Sequence, residues 1–164
     1  MQYITFTVPG APFGKQRPRH NRKTGVTYTP ADTKRRENQI AAVYKSTFGN
    51  HMFGEQDYIE MQVYAYYPIP TSTTKKKKVC MVNGDIRPTV KPDWDNVGKL
   101  IADALNGVAY KDDKQIVSAT VKKFYSQKPR TQVFLGCVRK EERGDTYDER
   151  FALDGKGEET VEMD

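Results

Sequence analysis

The chain has 164 residues, of which 37% are hydrophobic and 29% charged, and its net charge is +6. This composition predicts a single soluble domain with a sizeable core, and the absence of any apolar run near the roughly 20 residues of a membrane helix excludes a spanning segment. The two cysteines share no metal-ligand spacing and form no disulfide framework, and the N-terminal segment has no signal-peptide pattern, so we expect a cytoplasmic protein.

The positive charge is unevenly divided along the chain. Residues 141–164 contain 3 Lys and Arg against 10 Asp and Glu, a net −7, which leaves 24 against 11, a net +13, in residues 1–140. We therefore predict a folded domain over 1–140 and an acidic, disordered tail over 141–164. A body this basic favours a polyanionic partner, because Lys and Arg release counterions from phosphates, although a solvated surface would have the same charge.

The chain opens with a strand and a basic segment. Residues 2–8 alternate apolar and polar side chains, which predicts a strand, and turn residues further on predict a small hairpin ending near Tyr28. The segment between them is an exposed loop or an arm that contacts phosphates. For the second interpretation we predict DNA contacts from Lys15, Arg17 and Arg19.

A helix and a second strand follow. Thr29 can cap a helix whose first position is Pro30, and Gly49 ends it. Residues 58–67 alternate strictly and predict the clearest strand of the chain. Its tyrosines could stack on bases, but packing beneath a helix is the more common use of such a pattern.

The lysine-rich segment over residues 71–90 lies between this strand and an acidic stretch. Four consecutive lysines predict a mobile, solvated loop that is partly disordered without a partner. Beside an active centre the same run could clamp nucleic acid, and we predict DNA contacts from Lys75, Lys76, Lys77 and Lys78.

The acidic stretch over residues 91–116 is the most informative part of the chain. Asp93 and Asp95 are two residues apart in a segment predicted to be extended, so both side chains project to one side. Lys99 and Asp103 follow at four and eight residues after Asp95, on one face of a predicted helix. Asp112 and Asp113 then directly precede another strand.

Carboxylates crowded together in a basic protein indicate a cation site. Mg²⁺ prefers oxygen ligands and usually takes a few carboxylates together with substrate phosphates, and Lys99 could stabilise the reacting phosphate. A purely structural interpretation also exists, in which Asp95 caps a helix, Asp95, Lys99 and Asp103 form a surface ion-pair ladder, and Asp112 and Asp113 are turn residues.

The string PDWDNVGKLIADALNGVAYKDDKQIV, residues 92–117, resembles the defining motif of the RusA family of Holliday junction resolvases, which are small phage- and prophage-associated endonucleases. The resemblance implies a mixed α/β fold with a small mixed sheet and two main helices. It also implies a homodimer that cuts four-way DNA junctions with Mg²⁺, for which Mn²⁺ substitutes. On this resemblance the essential metal-binding acids are Asp93, Asp95 and Asp113, and the catalytic lysine is Lys99. The choice of Asp113 over Asp112 rests on it as well.

The resulting hypothesis is a Mg²⁺-dependent endodeoxyribonuclease that resolves Holliday junctions during DNA recombination and repair. Two alternatives stay open. A junction-binding protein without nuclease activity would tolerate Asp93→Asn and Asp95→Asn. A metal nuclease for flaps or RNA would need the aspartates but show no preference for junctions.

Overall fold

The structure is a computed structural model that describes residues 3–138. The acidic tail predicted over 141–164 lies outside these residues. The elements in chain order are β1 (Tyr3–Pro9), β2 (Arg19–His20), β3 (Thr27–Tyr28), α1 (Ala31–Phe48), β4 (Tyr58–Pro68), α2 (Lys75–Asn83), α3 (Trp94–Ala104), a short 3-10 turn (Asp113–Gln115), β5 (Ile116–Ser126) and β6 (Arg130–Val138). The mixed α/β class is confirmed, with one more helix than the two main helices predicted.

Four strands form one mixed sheet in the order β1-β6-β4-β5. β6 is antiparallel to both β1 and β4, whereas β4 and β5 are parallel. Parallel neighbours need a crossover connection, and here the chain passes through α2 and α3 between the two strands. This crossover brings α3 against β5, at one edge of the sheet.

The core lies between the sheet and the helices α1 and α3. The predicted alternation of β4 is confirmed, because its inward side chains are all buried, namely Ile59, Met61, Val63, Ala65 and Tyr67. Val63 pairs in register with Val121 of β5 and Val133 of β6, which centres this strand in the sheet. Burial of such side chains is the main favourable term that fixes α3 beside β5.

The basic hairpin and the first helix form where the sequence predicts them. Arg19 pairs with Tyr28 across the two short strands β2 and β3, which confirms the hairpin. Gly49 ends α1 at a positive φ of 63°, as predicted. The start of α1 differs by one residue, because Pro30, rather than Thr29, occupies the N-cap position, and no side chain caps the helix there.

The lysine run was wrongly predicted as a partly disordered loop. Lys75–Lys78 form the first turn of α2, where the Thr74 hydroxyl accepts a hydrogen bond from the Lys77 amide. Gly84, in the left-handed conformation at φ 85°, ends the helix. These two caps satisfy backbone groups that would otherwise have no partner, so a helix forms despite four adjacent positive charges.

Candidate active site

The start of α3 is held in place by the segment that follows β1. The Lys15 amide donates to the Asn96 carbonyl at 2.9 Å. A Cβ atom on Gly14 would lie 2.7 Å from Pro92, so only glycine permits this approach of the two backbones. The Tyr67 hydroxyl, at the end of β4, donates to the Pro92 carbonyl at 2.6 Å. The turn before α3 is therefore anchored from two sides.

Of the two aspartates at this turn, Asp93 is extended as predicted, whereas Asp95 is not. Asp93 occupies the N-cap position of α3 in extended conformation, but its side chain makes no capping hydrogen bond. Asp95 lies in the first helical turn, not in an extended segment. The structural interpretation of Asp95 as a helix cap is therefore wrong.

A groove of about 760 Å³ runs beside these aspartates. Asp93 and Asp95 line it together with basic side chains, which are Lys15, Arg17, Arg19 and Lys91. The carboxylates thus share the groove with several positively charged side chains, and such a surface attracts a phosphate backbone. The hairpin segment predicted to contact DNA is beside the predicted catalytic acids.

A second pocket, of about 240 Å³, lies between α3 and β5. Asp95, Lys99 and Asp113 all line it, so the structure brings three of the four predicted catalytic residues together. Asp95 belongs to both cavities and links Asp93 in the groove to Asp113 in the pocket. Within residues 3–138, no three Asp, Glu, His or Cys side chains are close enough together to hold a metal ion by themselves.

These carboxylates nevertheless suit Mg²⁺ in chemical type. Mg²⁺ is commonly bound through only one or two carboxylates, with water and substrate phosphates completing its shell. Asp95 and Asp113 at one pocket, with Asp93 in the adjoining groove, meet that requirement. Burial raises the pKa of Asp113, and the charges of Asp103 and Asp112 raise it further, while Lys99 opposes the shift. Negative charge is therefore concentrated at Asp113, where a cation would be favoured.

Asp112 and Asp113 have separate roles, which the sequence alone left undecided. The Asp112 carboxylate accepts from the Lys114 amide at 2.9 Å, and the Gln115 side chain accepts from the amides of Lys111 and Asp112. This capping box uses Asp112 to build the 3-10 turn before β5. Asp113 is left to line the pocket.

Asp103 has an unpredicted partner. The Lys15 ammonium donates to the Asp103 carboxylate and lies 3.4 Å from Glu37, so three segments distant in sequence meet at one ion cluster. Burial lowers the pKa of Lys15, but Asp103 and Glu37 outweigh burial and raise it overall. Lys15 and Asp103 are 88 residues apart, and no local pattern indicates their contact. The predicted DNA contact of Lys15 stays a prediction.

Two comparisons relate the chain to known proteins. The sequence model of the family described as Endodeoxyribonuclease RusA matches residues 9–135. The chain belongs to the RusA family. It is also 38% identical over 137 residues to the protein named "Uncharacterized protein YqaN" of Bacillus subtilis (strain 168), a match that covers 82% of this chain and 96% of that protein. The resemblance stated from the motif is thereby confirmed.

The RusA match includes the predicted DNA-binding lysines of the run Lys75–Lys78, which line neither the acidic groove nor the pocket with Asp113. Lys78 lines a groove with Pro68 and Ser126, where β4 and β5 end. Lys75, Lys76 and Lys77 are exposed on the first turn of α2. These lysines would therefore contact a different stretch of a polyanion from the one in the acidic groove. None of the described helices is both long and apolar enough to cross a membrane.

Proposed function

We propose that this RusA family member is a Mg²⁺-dependent endonuclease that resolves Holliday junctions by paired hydrolysis of phosphodiester bonds near the branch point. The observation that supports this most directly is the position of Asp95, which borders both the basic groove and the pocket with Lys99 and Asp113. A DNA backbone drawn along the groove by Arg17 would pass over these carboxylates. DNA recombination and repair are the processes that need such a reaction.

The charge pattern supports a metal-dependent reaction. Carboxylates repel a phosphate at close range, and two like charges about 4 Å apart cost on the order of 4 kcal/mol at an effective dielectric near 20. Asp93, Asp95 and Asp113 would hold the Mg²⁺ that removes this repulsion. When bound, the ion would offset charge on the phosphate and lower the pKa of a bound water. Mn²⁺, which also takes carboxylate and water ligands, would substitute.

Lys99 supplies the positive charge of the chain itself at this pocket. It lies one helical turn after Asp95, so its ammonium can reach the same phosphate. A cation fixed there stabilises the charge that develops on the phosphate oxygens during hydrolysis. We therefore assign Lys99 to phosphate stabilisation and the three aspartates to metal binding.

We also propose that the active form is a homodimer. A four-way junction has approximate two-fold symmetry, and symmetric cuts in paired strands need two sites related in the same way. One chain contributes one set of acids around α3. Sedimentation of the protein alone and of its junction complex would test this, and a monomer in both would contradict it.

The decisive experiment compares a synthetic four-way junction with a linear duplex and a single strand of the same sequence. We expect paired cuts in the junction with Mg²⁺ or Mn²⁺, no cuts in EDTA, and little cleavage of the other two substrates. Failure to cut the junction with either metal would refute the proposal. Tight junction binding without cleavage that persists in Asp93→Asn would favour the binding protein. Equal cleavage of flaps or RNA would favour a different nuclease.

A further inference from the structure

One large aromatic side chain at the site is exposed. Trp94 is the first residue of α3, between Asp93 and Asp95, and 63% of its surface is accessible. It is the only tryptophan of the chain. Tryptophan is highly buried on average, so an exposed indole between two functional carboxylates needs a reason. Aromatic rings in such positions commonly stack on a ligand.

The indole lines the pocket between α3 and β5, whose lining combines charged and apolar side chains. Its walls are formed by Ala102, Ile116, Ala119 and Val121. Gly98 forms part of the helix side, where a Cβ would approach Val121 to 3.0 Å. The volume of about 240 Å³ is below the roughly 300–1,000 Å³ of pockets for drug-sized ligands. A single flat ring system fits that size.

We propose that this pocket, called here the Trp94 pocket, receives one unstacked nucleobase of the DNA substrate. The inference rests on the proposed function, because it uses the phosphate position that Asp95, Lys99 and Asp113 define. In a nucleotide only the sugar separates the phosphate from the base, so a phosphate held by these three residues leaves its base close to the apolar part of the same pocket. The charged side chains of the lining thus suit the phosphate of a nucleotide, and the indole with the apolar side chains suits its base.

A base pocket at this position would also select branched DNA. Unstacking a base within a continuous duplex costs about a few kcal/mol, and the cost is lowest where the base is already unpaired or poorly stacked. Bases at a branch point lie at helix ends, so they enter the pocket at lower cost than bases within a linear duplex. Trp94 is therefore a specificity-determining residue, and its stacking is tolerant of base identity because every base has a π face.

The binding test uses the protein in EDTA, where no cleavage occurs. Since Trp94 is the only tryptophan, fluorescence excited at a wavelength that the ten tyrosines do not absorb reports this pocket alone. We expect quenching on titration with a four-way junction. In a set of junctions with one abasic site each, one position near the branch should abolish the quenching and weaken wild-type binding by about 5- to 150-fold. The same abasic site should have no effect on binding by Trp94→Ala, because the two changes remove one interaction.

Cleavage provides the second readout. We expect Trp94→Ala to lower the ratio of junction to duplex cleavage and Trp94→Phe to restore it, while Met52→Ala, which removes another exposed apolar side chain (47% accessible), leaves the ratio unchanged. The inference is overturned if no abasic position alters the quenching, or if Trp94→Ala keeps the wild-type ratio of junction to duplex cleavage. It is also overturned if the fluorescence changes with protein concentration alone, because that result would place a second copy of the chain in the pocket. A wild-type protein that cuts no junction refutes the proposed function instead, and abasic-sensitive quenching still tests the pocket.

Discussion

Lys15 belongs to an ion cluster and is also a predicted DNA contact, and one substitution can separate its contribution to folding from its contribution to DNA binding. The side chains of Lys15, Glu37 and Asp103 are 21%, 22% and 18% exposed, which lies between a surface pair and a buried one. Surface pairs contribute about 0–1 kcal/mol, and breaking a buried pair costs about 3–5 kcal/mol. Lys15→Met keeps the stem and leaves two carboxylates without their cation. We expect the free energy of unfolding to fall by about 1–3 kcal/mol, or about 2–12 °C in Tm.

The measurement is urea unfolding at neutral pH of the wild type, Lys15→Met, Asp103→Asn and the double variant. The double variant should be less destabilised than the sum of the two single variants, with a coupling of about 0.5–2 kcal/mol. Lys15→Met with the wild-type unfolding midpoint, or two strictly additive single changes, would refute the reasoning from the ion cluster.

The same variant tests the predicted DNA contact of Lys15. If the ammonium stays paired with Asp103, the dependence of junction affinity on salt should not change. If Lys15 contacts a phosphate, the slope of log affinity against log salt should fall by about 1. Arg17→Gln is the matched control, because Arg17 lines the same groove but is exposed. It should lower the slope without lowering the free energy of unfolding.

Three further predictions concern the acids and the lysine run. Asp95→Asn and Asp113→Asn should each slow junction cleavage with Mg²⁺ by about 100-fold or more, in a gel assay, without weakening binding in EDTA; lost affinity would contradict their assignment to chemistry. Replacing Lys75–Lys78 by alanine should lower the salt slope of junction affinity by up to about 4; an unchanged slope would make them a solvated surface. The pKa of Asp113 is raised in the folded state, so the folded protein binds a proton at this carboxyl more tightly than the unfolded chain does. The ionised carboxylate therefore destabilises the fold at neutral pH, and this destabilisation disappears as the pH falls. Asp113→Asn should therefore unfold at a urea concentration equal to or above that of the wild type at pH 7, with the difference lost below the ordinary aspartate pKa of about 3.9; a variant less stable at pH 7 would contradict this sign.

The elements that the sequence predicts well are those determined by local periodicity. β4 alternates over its whole length, and both faces are where the period of two places them. For α2, charge alone predicts a loop at the lysine run, whereas Val79 to Val82 are compatible with either a helical turn or a strand; the structure has one helix over Lys75–Asn83. Its start and end signals, Thr74 and Gly84, are present in the sequence and predict a helix once they are considered together.

In the candidate site, too, the sequence predicts how residues close along the chain are arranged better than how distant residues are arranged. The spacing of Asp95 and Lys99 places both side chains on one face of a predicted helix, and both line the pocket beside α3. Asp113 was chosen over Asp112 only by resemblance, since strand alternation permits either. In the structure the capping box engages Asp112, and Asp113 lines the pocket.

The distribution of partners among the acids explains why a basic protein keeps an acidic cluster at its groove. Asp103 forms an ion pair with Lys15, and the Asp112 carboxylate accepts a hydrogen bond from the Lys114 amide. In the part of the chain that the structure describes, Asp93, Asp95 and Asp113 have no salt bridge within 4.0 Å. An acid with a purely structural role can form an ion pair with a lysine or arginine of the same chain. A carboxylate with such a permanent cationic partner would be a poorer metal ligand. The three unpaired acids are therefore the ones expected to meet a cation from solution, and they are the three predicted metal ligands.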